Sequence, residues 1–353
     1  MKVRGLLSIA ALGFVVASCT AKTDSAKTDS ATADAQSLTG AGSSFAYPLY
    51  SQWSADYLSK TGAKVNYQSK GSGAGIRQLS EMTIDFGGTD APMTDEEMAK
   101  AKGGPILHIP VAMGAVVLVY NVPGLTSALK VSPAVISGMF LGTITKWNDR
   151  QLAALNPGVA LPADPVVVVH RSDGSGTTFI WTDYLAKLSP EWAKRVGKGK
   201  EVKWPVGLGG AQNEGVAGQV KQLPGSVGYV ELAFARQNKL AYASVQNSSG
   251  HFIAPSTESV TSAAAAVAAA LPETTDYRIS IIDPPGADAY PISSITWALI
   301  YQNQSDKAKG KQLVDFLRFG LTPEGQASAT KLDYAPLPAA MISQLQKRLD
   351  TVK

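Results

Sequence analysis

Three short segments place small hydroxyl residues and glycine where a helix is expected to begin: Gly42-Ser-Ser-Phe45, Gly71-Ser-Gly73 and Gly174-Ser-Gly-Thr177. A helix N-terminus carries unpaired N–H groups and partial positive charge, and glycine lets an oxyanion approach the backbone closely. Together the three ends would make one anion cage. Each taken alone is better explained as a turn followed by a Ser/Thr N-cap. Arg171, at the end of an apolar run and beside the third segment, suits bidentate oxyanion binding, with a surface ion pair as the plainer alternative.

Other chemistries fit poorly. The histidines are His108, His170 and His251, far apart and without the spacing of a zinc site, so each reads as structural. Asp173-Gly-Ser-Gly-Thr-Thr178 follows an apolar run and opens a helix, as a nucleotide-binding loop does, but lacks the Gly-Lys-Ser/Thr ending that holds nucleotide phosphates. A Gly-x-Ser-x-Gly turn that would expose a nucleophilic serine is absent. A net charge of +4, of which Lys2 and Arg4 belong to the leader, is too weak to suggest a nucleic-acid protein.

The elements that must position these residues begin after a leader. Lys2 and Arg4 precede an apolar stretch from Leu6 to Ala17, too short to span a bilayer, and 1–18 reads as a signal peptide. The single cysteine, Cys19, ends Val16-Ala-Ser-Cys19, which resembles the lipobox of bacterial lipoproteins; an ordinary signal peptide with an incidental Cys19 is the alternative. Ala21-Lys-Thr-Asp-Ser25 then repeats as Ala26-Lys-Thr-Asp-Ser30, so 19–36 reads as a flexible polar leash behind the lipidated cysteine. With one cysteine, no disulfide can form within the chain, and stability must come from packing.

The 353 residues exceed what one core normally organises, so two domains are expected. From Leu38 onward, apolar runs alternate with amphipathic stretches, the pattern of α/β domains with parallel strands. Val65 to Gln68, Ala115 to Tyr120 and Val166 to Val169 are strand candidates. Phe45, Leu49, Trp53 and Tyr57 recur every fourth residue, as do Ile180, Tyr184 and Leu188, which predicts helices after Ser44 and after Thr177. Thr94-x-x-Glu97 has capping-box spacing, and Ala263 to Leu271 reads as an alanine-rich helix stopped by Pro272. No long linker divides the globular part, so the two domains should share several chain crossings.

Four segments in order carry a more specific resemblance: Thr39 to Phe45, Val65-Asn-Tyr-Gln68 with Gly71-Ser-Gly73, Asp85-Phe-Gly-Gly-Thr-Asp-Ala-Pro92, and Arg171 to Thr177. They resemble the binding segments of periplasmic phosphate-binding proteins. The similarity continues through Val202 to Gly210, Gly225 to Glu231 and Asp333 to Pro338, and so covers nearly everything after the leash.

That resemblance implies an α/β, two-lobed periplasmic-binding-protein fold of type II, with lobe 1 from 37–113 plus 286–353, lobe 2 from 114–285, and the ligand between them. Ser44, Phe45 (through its N–H) and Ser72 would bind phosphate from two helix starts. Asp90 would accept a ligand proton, Arg171 would donate while held by Asp173, and Ser175, Gly176 and Thr177 would complete the cage. Asp90 and Asp173 are otherwise ordinary turn aspartates. Ser44 stands where threonine is also common in the family, and Lys70 where a small or apolar residue is expected; Lys70 reads as a solvated loop lysine outside the site.

The implied protein is a non-enzymatic receptor without cofactor or metal. It would be a monomer in the periplasm or at the cell surface, on the membrane through its lipid anchor only, binding no nucleic acid and delivering inorganic phosphate to the permease and ATPase of an ABC importer. The alternatives are a secreted phosphoesterase using Ser72 or Ser175, and a surface lipoprotein using the site for sensing or adhesion.

Overall fold

The computed structural model describes residues 37–125, 127–268 and 276–353. The signal peptide, Cys19, the leash, Leu271 and Pro272 lie outside the described residues.

The chain opens with three strand-to-helix units. These are β1 (Leu38–Gly42) into α1 (Tyr47–Thr61), β2 (Val65–Ser69) into α2 (Ser72–Ser80), and β3 (Phe86–Thr89) into α3 (Asp95–Ala99). The long strand β4 (Ile106–Asn121) follows, then β5 (Lys130–Val131), α4 (Pro133–Leu141) and α5 (Arg150–Leu155). Two more strand-to-helix units come next: β6 (Val167–Arg171) into α6 (Gly176–Leu188) and α7 (Pro190–Arg195), and β7 (Leu208–Gly210) into α8 (Gln212–Gln222). After β8 (Ser226–Glu231) and α9 (Leu232–Gln237) the chain forms β9 (Ala241–Tyr242), β10 (Ser244–Gln246) and β11 (Phe252–Ile253). It ends with α10 (Thr257–Ala268), β12 (Ser293–Tyr301), α11 (Lys307–Gly320), α12 (Pro323–Lys331) and α13 (Ala339–Leu349).

The main sheet has the order β2-β1-β3-β12-β4-β8-β6-β7, with β9 also on β4. Its two wings are parallel as expected: β1 with β2 and β3, and β6 with β7 and β8. The centre departs from the all-parallel expectation, because β4 runs antiparallel to both β12 and β8. β4 is buried at every residue but its last, so its sequence reads as one apolar run with no alternation to betray direction. It also changes partner midway. Ile106–Ala115 pairs with β12, whereas Val116–Asn121 pairs with β8, so the chain passes from one half of the sheet to the other inside a single strand.

The predicted helices form, with shifted ends. α1 buries Leu49, Tyr50, Trp53 and Tyr57; Phe45 is equally buried but precedes the helix. α6 buries Ile180, Trp181, Tyr184 and Leu185, with Trp181 stacked on Tyr229 of β8. Thr94 and Glu97 make the reciprocal capping-box bonds at 3.2 and 3.0 Å. α10 begins at Thr257, ahead of the alanine run, because Ser256 and Ser259 close its first turn.

Candidate anion site

The strand-to-helix turns of the two parallel wings meet one another, and in open α/β sheets ligands lie outside the carboxyl ends of the strands. The turns after β1, β2 and β3 approach from one side, those after β6 and β7 from the other. They touch through backbone: the Gly73 N–H donates to the Gly174 carbonyl at 2.8 Å. Gly71, at φ +85°, makes this approach possible, since a Cβ there would stand 2.3 Å from Asp173 Oδ2.

The residues expected to bind ligand are linked to one another around this contact, Ser44 through Asn213 to Thr177, except Phe45, which follows Ser44 and is fully buried. Ser72 reaches Asp90 Oδ2 at 3.3 Å, and a Cβ on Gly176 would come within 2.5 Å of the same oxygen. Arg171 spans Asp173 with two parallel bonds, Nε to Oδ1 at 2.8 Å and Nη2 to Oδ2 at 2.5 Å, and donates from Nη1 to Thr177 Oγ1 at 3.3 Å. Ser175 is the N-cap of α6, its Oγ accepting from the Thr178 N–H at 3.0 Å. The other two helix starts are not Ser/Thr caps: Ala46 precedes α1 and Gly71 precedes α2, neither with a capping side-chain bond. Among the described residues no group accepts from the N–H of Phe45, Ser72, Gly176 or Thr177. These are buried backbone donors, of a kind that folded proteins rarely leave unpaired.

Asp90 is the counterpart of those donors. Its Oδ1 accepts from Ser43 Oγ at 2.5 Å and Thr296 Oγ1 at 2.7 Å, which occupies that oxygen; Oδ2, with only the long Ser72 bond, has capacity to spare. Burial pushes its carboxyl up to about 6, against the pull of the Ser43 and Thr296 hydroxyls, Arg171 and Ser72. Asp173 shows the reverse balance. Burial alone would raise it, but the Arg171 guanidinium and the Gln212 N–H hold it below the ordinary carboxylate range.

Ser43, Thr296 and Asn213 were not foreseen. Ser43 sits inside the first motif, and Thr296 lies on β12, where the sequence carries no mark of function. Asn213 lies in the first turn of α8 and bonds to both Ser44 and Thr177. The Gly209-Gly210 pair just before it makes this another glycine-bearing strand-to-helix turn, a signal that could have found it. Lys70 is exposed, outside the cluster. His108 accepts from the Met93 N–H at 3.0 Å and His170 stacks on Trp204, both structural roles. Among the described residues no group of three or more His, Cys, Asp and Glu side chains could hold a metal ion.

The chain is 45% identical over 318 residues to the phosphate-binding protein PstS of Pasteurella multocida, with 90% of this chain and 91% of that protein aligned. It belongs to the PstS family of phosphate-binding proteins. A second member, from Xylella fastidiosa strain Temecula1, is 45% identical over 88% of this chain and 84% of its own. A family model described as a PBP superfamily domain matches residues 26–323. The fold is shared more widely than the family's sequence. A crystal structure of a phosphate-binding protein from Stenotrophomonas maltophilia superposes with a TM-score of 0.71 at 20% identity, over 89% of this chain and 94% of that one. The PstS-family architecture is thus the two-lobed α/β binding-protein fold expected from the sequence.

Proposed function

We propose that the protein captures inorganic phosphate between its two lobes outside the cytoplasmic membrane and delivers it to an ABC phosphate importer. One observation carries this reading: four backbone N–H groups without an acceptor, the Arg171 guanidinium and Asp90, whose Oδ2 retains capacity to accept a proton, are all buried in the strand-to-helix turns that meet here. A tetrahedral oxyanion that still bears a proton satisfies both kinds of group at once. Ser44, Phe45, Ser72, Arg171, Ser175, Gly176 and Thr177 donate, Asp90 accepts, and Asp173 holds the guanidinium.

Lobe 1 comprises 37–113 and 286–353, and lobe 2 comprises 114–285. The partner change at Ala115/Val116 of β4 supports one crossing. The segment from 276 to 289 bonds to both sides, Arg278 to Met93 and Asp95, Ser248 and Asn247 to Pro284 and Ala287, and supports another. Asp90 is 1% exposed and Arg171 3%, so an ion enters only when the lobes separate. The protein acts as a monomer in the periplasm or at the cell surface, tethered through lipidated Cys19 and the leash. No described helix is long and apolar enough to cross a membrane. Membrane fractionation of Cys19→Ala tests the tether: the variant should move to the soluble fraction with phosphate binding intact.

A phosphoesterase reading finds little support in the serines. The Ser72 hydroxyl lies between the Asp90 N–H and carboxylate, and Ser175 caps α6. Titration calorimetry with phosphate, sulfate and a phosphate monoester, alongside a hydrolysis assay, tests the proposal. Tight phosphate binding without turnover is expected; ester hydrolysis, or equal binding of sulfate, would overturn it.

A further inference from the structure

Asn213 is fully buried and uses every polar atom of its side chain and its own N–H. Its Oδ1 accepts from the Glu231 N–H at 3.0 Å. A backbone N–H can only donate, so this bond sets which end of the amide is oxygen and turns the Nδ2 hydrogens the other way. One reaches Ser44 Oγ at 2.9 Å, the other Thr177 Oγ1 at 3.2 Å. The Asn213 N–H donates to Ser44 Oγ as well, at 3.2 Å, and Arg171 Nη1 donates to Thr177 Oγ1 at 3.3 Å.

A hydroxyl has two lone pairs and one proton. Ser44 and Thr177 each have both lone pairs engaged by nitrogen donors, so each has only its proton left to offer. We propose that Asn213 is a positioning residue of the phosphate site: with Arg171, it fills the acceptor capacity of Ser44 and Thr177, makes both hydroxyls obligate donors and so keeps either from competing with Asp90 Oδ2 for a ligand proton. The inference rests on the phosphate reading above and deepens it, since it says how the site counts ligand protons. A ligand with a further proton facing Ser44 or Thr177 meets a donor, and the two repel.

Two variants test this, each measured by calorimetry with inorganic phosphate in mildly alkaline and mildly acidic buffer, with circular dichroism to verify folding. Asn213→Asp keeps the oxygen that receives the Glu231 N–H but replaces the two side-chain donors by an acceptor. Asn213→Ala frees one lone pair on each hydroxyl and adds no charge, which separates reversed polarity from simple repulsion of the anion. Asn213→Asp should lose about tenfold to a hundredfold in alkaline buffer, the worth of about one hydrogen bond to a charged ligand. In both variants the loss should shrink in acid, relative to the unmodified protein, because protons supplied by the medium restore matched pairs. If Asn213→Asp does not fold, the pH dependence of Asn213→Ala decides. A loss equal at both pH values, or wild-type affinity throughout, would mean that Asn213 only supports the fold and would overturn the assignment. Failure of the unmodified protein to bind phosphate would overturn the phosphate reading itself, and this inference with it.

Discussion

Gly176, at the start of α6, lies against Asp90, just after β3: a Cβ built on Gly176 would stand 2.5 Å from Asp90 Oδ2 and 2.5 Å from Ser72 Oγ. The three atoms nearest to that Cβ all belong to Asp90 and Ser72, on the turns after β3 and β2. A methyl group there would not disturb α6 itself, since Gly176 has ordinary helical backbone and alanine is a good helix former.

Gly176→Ala should therefore fold normally yet fail to close. The expected result is an unfolding midpoint close to wild type with phosphate affinity reduced by about a hundredfold or more, as several charged hydrogen bonds are lost together. Wild-type affinity in this variant would show that the lobes need not approach as closely as they do here.

Asp90 predicts how selectivity depends on pH. Its carboxyl is raised to about 6 from an ordinary value of 3.8, so the closed form binds an extra proton between those values. Stability owed to that proton is fully present below the ordinary value and is lost as pH rises through about 6. Above that, ionised Asp90 can only accept; it bonds a ligand P–OH but repels sulfate, which has no proton to give. Discrimination against sulfate should be largest in neutral and alkaline buffer and fall as pH drops through about 6. In Asp90→Asn, whose Nδ2 donates, it should be small at every pH. Competitive titration of the two anions reads both; sulfate binding that does not change with pH in the wild type would remove Asp90 from this role.

Arg171 and Asp173 should differ in consequence. Arg171→Ala removes a buried donor and strands Asp173, whereas Asp173→Ala leaves the guanidinium charge but loses its bidentate partner and the acceptor of the Gln212 N–H. The first should weaken phosphate binding by about 3 kcal/mol or more, the second by about 1–2 kcal/mol. Calorimetry on both variants gives the ordering, and equal affinities would contradict it.

An ion pair between distant segments should act on phosphate release. Lys200 reaches Glu97 of α3 at 2.5 Å, while the Lys200 carbonyl receives the Ser175 N–H at the start of α6. Glu97→Gln keeps the capping box, because glutamine caps as glutamate does, and removes the charge from the pair. Phosphate should then leave about two- to fivefold faster, in line with less than about 1 kcal/mol for a partly exposed pair. Stopped-flow release measures it, and an unchanged rate would assign the contact no part in closure.

The residue types at the three helix starts, the Arg171-to-Thr177 segment, and the strands and helices around them were legible in the sequence, because each depends on neighbours within a few positions: glycine where backbones meet, a hydroxyl at a cap, apolar spacing along one helix face. What tertiary structure decided was every relationship between distant segments. β4 is uniformly apolar, so nothing local marks the change of partner at Ala115/Val116 or the antiparallel pairing on both its sides. Thr296 and Asn213 are ordinary residues until folding places one against Asp90 Oδ1 and the other between Ser44 and Thr177. Asp90 and Asp173 are the same side chain in similar turns. Burial without a fully paired cation raises the first, and a bidentate guanidinium lowers the second, a division set by burial and partners that only the folded chain supplies.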